Sequence, residues 1–370
     1  MIGVGLSMAL HRFRLELREP LVTGAAEIRH REGLLVALAA DGITGWGEAS
    51  PLPGWSRLGL PETETALRAA AEDLAVTGEG GLEALLSSLR GSPHARAGLA
   101  GAWFDLQARR AERNLAEHLI TEHLTAGCRA SGSAPPLAPA QEVAVNALIA
   151  ASAPAEVEQA ARDAVLGGFA AVKLKVASAP PADDIERVEA ARAGIGPAAE
   201  LRLDANGGWD ETTALGFLRR VQHCDVAYCE EPVAGVEAIA ALSQRSPVAP
   251  AADESVRTLA DAVRALSLGI GVLIVKPQAL GGPDLAVQVL ERAQQAGAAA
   301  TVTSFLDSAV GLGHGWHVAA VADAMTGPRA HGLSTSGLFT ADVADPPAIR
   351  SGAMRLPAAS GLGIVPGVAA

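Results

Sequence analysis

The period of hydrophobic and polar positions changes twice along the chain. Residues 11–17 alternate as in a strand with one face covered, and alternation returns at 32–40 and 43–49 around the turn signal Asp41-Gly42. These runs predict an antiparallel meander, with residues 19–31 as a loop between the first two strands. Over 62–123 apolar residues recur at three-and-four spacing, which predicts helices, with Pro61 near a start. From Val143 onward, short and nearly continuous apolar runs alternate with helical stretches. The strand candidates are 143–149, 170–176, 200–204, 226–230, 248–252, 272–276 and 299–304, with an eighth short one near 330–334.

Strands that are apolar on both faces and separated by helices are the mark of parallel strand–helix units. The predicted fold class is α/β: a (β/α)7β TIM-like barrel with an α+β N-terminal capping domain. The expected division is a capping domain over 1–125, joined by a C-terminal segment of about 345–370, then a linker over 126–141 rich in Ala, Gly, Ser and Pro, then the barrel over 142–344. An open doubly wound sheet is the rival architecture, but no Gly-rich phosphate loop follows Asn146-Ala-Leu-Ile149.

A chain of 370 residues is long enough for this barrel and its cap. A net charge of −12 and 3% aromatic residues leave no basic footprint for nucleic acid or an anionic membrane, and little surface for base stacking. No apolar run approaches the roughly 20 residues of a membrane span, and residues 1–10 lack the basic start and long apolar core of a signal peptide. The expectation is a soluble, cytoplasmic protein. Cys128, Cys224 and Cys229 cannot all pair and form no CxxC spacing, so disulfides and thiolate metal sites are not expected.

Basic residues carry the first chemical signal. Of the 29 Lys and Arg residues only three are lysine: Lys173 and Lys175, which share one face of the second barrel strand, and Lys276, which closes the sixth. A strand lysine alone reads as a snorkelling or edge-blunting charge. Three of them, confined to strand ends in a chain that otherwise uses arginine, point to a need for an amine that can lose its proton.

Acids complete the pattern. Asp204 ends the third strand, Glu230-Glu231 the fourth and Asp253-Glu254 the fifth, each about one strand–helix unit after the last. Singly they read as an Asx turn, a solvated strand end and a helix cap. Together they bring three carboxylates to the carboxyl-end rim of a barrel, where repulsion in a partly dry site costs several kcal/mol unless a cation intervenes. Asp204, Asp253 and one of the pair Glu230 and Glu231 are therefore the candidate metal ligands, since strand alternation turns only one glutamate of that pair to the metal. An all-oxygen set favours Mg²⁺, with Mn²⁺ as a second occupant, and such an ion can also hold a substrate carboxylate. Lysines on either side of that ion suit removal of a proton α to a carboxylate, since the developing enolate charge needs neutralising.

The motifs Lys173-Leu-Lys175, Asp204-Ala-Asn206, Glu230-Glu-Pro232, Asp253-Glu-Ser255 and Lys276-Pro277, with Gly45-Trp-Gly-Glu-Ala49 in the cap, resemble those of the enolase superfamily and its muconate-lactonizing-enzyme subgroup. Within it, residues 304–312 and 331–337 are similar to the actinobacterial o-succinylbenzoate synthase family. That resemblance implies a Mg²⁺-dependent dehydration in menaquinone biosynthesis on a small-molecule carboxylate. It implies Glu230 rather than Glu231 as the metal ligand of its pair, beside Asp204 and Asp253. Lys175 is implied as base, Lys276 as support for the enediolate by charge, Lys173 as a neighbour tuning Lys175, and Glu254 and Asn206 as supports of the lysines. It also implies substrate contacts from the 21–31 and 52–56 loops, and from Arg29, Ser304, Leu306, Asp307, Gly332 and Leu333. An N-acylamino acid racemase or dipeptide epimerase, with Lys175 and Lys276 on opposite faces of one carbon, is the nearest rival. A non-catalytic barrel binding a metal or a carboxylate is a rival of another class, and it would be expected to have lost a lysine or an acid.

Overall fold

A computed structural model describes residues 5–22, 27–124 and 137–367. The linker proposed over 126–141 lies largely outside them, as does Cys128.

Three antiparallel strands open the chain in the order β1 (Ser7–Val22), β2 (Glu27–Ala40), β3 (Ile43–Ala49). The β2–β3 connection is two residues long, and both Asp41 (φ 53°) and Gly42 (φ 77°) are left-handed, as the twist of a tight hairpin requires. The expected 19–31 loop is instead mostly strand. Leu21 pairs with Ile28 and Val22 with Glu27 after a register shift past Glu16, so the hairpin projects well beyond the sheet.

Helix Pro93–Arg110 covers one face of this sheet. A Cβ on Gly45 would lie 2.2 Å from the Ala102 carbonyl oxygen, and one on Gly47 2.0 Å from that of Gly98. The two glycines of the Gly-Trp-Gly-Glu run are what let helix and strand touch backbone to backbone. On the other face, Glu48 reaches across to the barrel.

The barrel begins with five parallel strands in chain order: β5 (Ala147–Ile149), β6 (Ala171–Lys175), β7 (Glu200–Asp204), β8 (Val226–Glu230) and β9 (Pro250–Ala251). A parallel pair follows, β10 (Val272–Val275) and β11 (Ala299–Val302). Single bridges close the ring: Ala252 to Leu273, Thr303 to Gly332, and His331 to Val145. The eighth strand is thus reduced to His331 and Gly332. Each of the seven strands is followed by helix, from Pro154–Leu166 to Ala309–Thr326, and the last of these is buried along most of its length.

The run 143–149 is not one strand. Its first part, β4 (Glu142–Ala144), leaves the ring and pairs antiparallel with β13 (Ala353–Arg355), which in turn pairs with β12 (Ile349–Arg350). Apolar periodicity runs through both parts, so the sequence shows no break between them.

Candidate active site

Period-2 geometry and strand register bring the charged residues together. Lys175 is paired in register with Asp204, and Asp204 with Glu230, so these three occupy one layer at the carboxyl end of β6, β7 and β8. Lys173 and Arg202 form the layer below on the same inward face. Arg202 plugs the barrel from there, donating to the Ala330 carbonyl at 2.6 Å and lying over the Tyr228 ring.

Lys173 reaches up between two acids, with Nζ donating to Asp204 Oδ2 at 3.1 Å and Glu230 Oε2 at 2.9 Å. Lys175 Nζ donates to Asn206 Oδ1 at 2.7 Å and lies 3.5 Å from Asp204 Oδ2. Asn206 Nδ2 in turn donates to Glu254 Oε1 at 3.0 Å. Lys276, at the end of β10, pairs with Asp253.

The two glutamates of Glu230-Glu231 diverge. Glu230 points inward to accept from Lys173, while Glu231, with φ 36°, turns its carboxylate to the Asp253 backbone N–H (2.8 Å) and the Ser255 hydroxyl.

Burial sets the electrostatics of the cluster. Desolvation alone would lower the Lys173 ammonium, but Asp204, Glu230 and Asp253 outweigh it and hold that pKa well above the usual lysine value. Lys276 is raised likewise, by Asp253 and Glu254 against desolvation. Asp204 is lowered, its desolvation overcome by the three lysines. Glu230 is raised, chiefly by burial. Glu254 is pushed up to about 8, first by burial and then by Asp253.

Four acids (Asp204, Glu230, Asp253, Glu254) thus face three lysines in a nearly dry floor, and Glu254 Oε2 is buried with no hydrogen-bond partner among the described residues. Among the described residues no three His, Cys, Asp or Glu side chains already converge as a metal-holding set, because lysine ammoniums lie between the acids. The donor chemistry nevertheless fits a divalent cation: the candidate ligands are hard oxygens only, and one buried carboxylate oxygen is orphaned.

A cavity of about 460 Å³ opens above this floor, within the usual size of a small-molecule site. Lys173, Lys175, Asp204, Asp253 and Lys276 line it from the barrel, and Leu21, Ile28, Leu52 and Trp55 from the cap.

Of the substrate contacts expected from sequence, Ser304, Leu306 and Gly332 are on its wall. Arg29 is not: it is exposed and paired with Glu27 at 2.5 Å, because strand alternation turns its neighbour Ile28 inward. Leu333 is fully buried against the helix Ala309–Thr326, and the residue two past Gly332, Ser334, lines the cavity in its place. Asp307 turns behind the wall to accept from the Phe305 N–H at 2.8 Å. Thr303, Phe305, Thr335 and Arg257 are wall residues that the sequence reading missed. Alternation counted from Gly332 would have found Ser334, whereas nothing local marks Arg257.

A barrel with lysines and acids crowded on the carboxyl ends of its strands, under an N-terminal cap, is the architecture of the enolase superfamily. Residues 156–368 match the family model described as enolase C-terminal domain-like, and residues 6–97 match MenC, N-terminal domain. The chain belongs to the enolase C-terminal domain-like family.

Among curated proteins it is 37% identical over 208 residues to o-succinylbenzoate synthase of Thermobifida fusca, covering 55% of this chain and 63% of that one. It is 40% identical over 185 residues to the o-succinylbenzoate synthase of Mycolicibacterium smegmatis, covering 48% and 54%. The matched stretch is therefore less than two thirds of either relative's length. Of solved structures, the L-Ala-D/L-Glu epimerase from Bacillus subtilis superposes with a TM-score of 0.85 at 23% identity over 98% of both chains. The muconate lactonizing enzyme from Pseudomonas fluorescens does so with a TM-score of 0.85 at 22% identity over 98% of this chain and 96% of that one. At such identities these two speak for the fold alone.

Proposed function

We propose that this protein is a Mg²⁺-dependent dehydratase that forms o-succinylbenzoate from 2-succinyl-6-hydroxy-2,4-cyclohexadiene-1-carboxylate, a step of menaquinone biosynthesis. The observation that carries the reading is that Lys175 and Lys276 line the same cavity as Asp204 and Asp253. The relatives of 37–40% identity, each an o-succinylbenzoate synthase, and the MenC N-terminal match support it.

In this reading Lys175, held by Asn206, takes the proton from the carbon bearing the ring carboxylate. The electron pair moves onto the carboxylate oxygens, where the Lys276 ammonium stabilises it. As the pair returns, the ring carbon–oxygen bond breaks, and the leaving hydroxide takes the proton from Lys175 and departs as water. The ring becomes aromatic. Asp204, Glu230 and Asp253 would hold the metal ion, whose fixed positive charge serves the same carboxylate oxygens. Glu231 braces Asp253 through its backbone N–H and would not be a ligand.

The same reading divides the chain into a cap over 1–125 and a catalytic barrel over 142–344, with 345–370 returning to the cap. The Leu362 N–H on Asp105 Oδ1, at 2.5 Å, and the Leu115 N–H on the Gly361 carbonyl support that return. No helix among the described residues is long and apolar enough to cross a membrane. A cytoplasmic site of action suits Cys224 and Cys229, which are free thiols.

A second reading, racemisation or epimerisation of N-acylamino acids or dipeptides, is favoured by one feature: both Lys175 and Lys276 reach the cavity. Assay of the purified protein with Mg²⁺ on the cyclohexadiene carboxylate and on N-succinylamino acids separates the two. Efficient dehydration is expected, and efficient racemisation with negligible dehydration would replace the first reading with the second.

A further inference from the structure

The cations on the cavity wall are matched to acids, with one exception. Lys173 is taken up by Asp204 and Glu230, Lys175 by Asp204 and Asn206, and Lys276 by Asp253. Arg257 also lines the cavity, and among the described residues it forms no ion pair. The residues outside the described set contain no Asp or Glu that could supply one.

Arg257 is nevertheless held firmly. Its guanidinium lies over the indole of Trp55, 4.3 Å from the ring centroid. Nε donates to the Glu254 carbonyl at 2.9 Å and Nη1 to the Trp55 carbonyl at 3.1 Å. Trp55 in turn stands edge-on to Phe305 with centroids 4.6 Å apart. These partners are neutral, so they fix the plane of the guanidinium without cancelling its charge. Nη2 is left without a hydrogen bond among the described residues. A preorganised, half-buried guanidinium on a cavity wall is matched to a carboxylate, which it binds through two parallel N–H donors more tightly than an ammonium would.

We propose that Arg257, braced by Trp55, recognises a second carboxylate at the far end of the substrate, so that the cavity selects dicarboxylates. The proposal rests on the reading above for the position of the first carboxylate, at the lysine and acid floor. It makes Arg257 a specificity-determining residue that takes no part in proton transfer. It also sets the carboxylate contact where barrel meets cap, since Arg257 follows β9 and Trp55 belongs to the loop after β3.

Calorimetry with Mg²⁺ present tests it, using two ligand pairs. One is o-succinylbenzoate and its succinyl monoamide, and the other is an N-succinylamino acid and its succinyl monoamide. The native protein is expected to bind at least one diacid about 10- to 100-fold more tightly than its amide, the range that a charged hydrogen-bonded contact supplies. Arg257→Met, which keeps an apolar stem for Trp55, is expected to bind diacid and amide alike. Arg257→Gln serves the same comparison should the Met variant fail to fold.

A diacid preference that survives in the variant overturns the proposal, as does the absence of any preference in the native protein for both pairs. Failure of the dehydratase reading is seen separately, as absent turnover of the cyclohexadiene carboxylate, and leaves the N-succinyl pair to decide the role of Arg257.

Discussion

Lys175 Nζ lies 2.7 Å from Asn206 Oδ1, and the amide nitrogen of the same Asn206 donates to Glu254 Oε1 at 3.0 Å. One side chain therefore aims the proposed base and ties it to an acid three strands away. Asn206 can do this because its backbone is left-handed, with φ 45°, a conformation that Asn tolerates better than most residues. Asn206→Gly removes the amide while suiting that backbone. We expect kcat to fall by about 10- to 100-fold with KM little changed, as for loss of a positioning contact. Lys175→Ala should abolish turnover. Steady-state kinetics on the two variants checks this, and an unchanged kcat in Asn206→Gly would mean that Lys175 needs no such support.

Lys276 separates the two reactions. In dehydration it need only remain positive, so Lys276→Arg should retain some dehydratase activity despite the poorer fit of a planar guanidinium. In racemisation both lysines exchange protons with the substrate, so the same replacement should stop the reaction in at least one direction. Deuterium incorporation from solvent, followed in each direction, distinguishes these outcomes.

The acids carry a prediction about the cation. Replacing Asp204, Glu230 or Asp253 by Ala should weaken Mg²⁺ binding at least about tenfold, since each removes one of three charged oxygen ligands. Glu231→Gln should weaken it less, because that carboxylate braces the Asp253 N–H and the Ser255 hydroxyl. Titration calorimetry with Mg²⁺ reads the order. Equal losses at Glu230 and Glu231, or none at Asp204, would place the ion elsewhere.

Asp307 predicts a pH dependence of stability. Burial, and then the neighbouring Glu48 carboxylate, push it up to about 7 against the pull of the buried Arg31 and of Lys276. The folded state therefore keeps this proton over a range where the unfolded chain has released it. The resulting stability is full below about pH 4, the ordinary aspartate range, and is lost as pH rises through about 7. Asp307→Asn keeps an acceptor for the Phe305 N–H and cannot ionise. Relative to the native protein it should gain on the order of 2 kcal/mol between pH 5 and pH 8. Urea unfolding of both proteins at the two pH values measures the gain, and a difference that does not move with pH would show that Asp307 stays ionised in the fold.

Much of the candidate site was legible in the sequence because its logic is local. A strand sends alternate side chains to one face, so Lys173 and Lys175 had to point the same way, and one acid at each of three successive strand ends had to meet at one rim. The antiparallel cap strands and the seven parallel strands followed from the period of apolar positions in the same manner.

What the chain folds against itself settled the rest. The choice of Glu230 over Glu231 for the inward face depends on its register with Asp204, a pairing between strands separated by a helix. The split of 143–149 into β4 and β5 needed β13, which lies some 200 residues further on. Arg29 and Leu333 carry suitable chemistry but face away from the cavity, whereas their neighbours Ile28 and Ser334 face it, a phase that local composition does not record. Arg257 owes its position to Trp55, Glu254 and the cavity around them. Periodicity reports which residues share a face; only tertiary packing decides which cavity that face meets and which charges remain there without a partner.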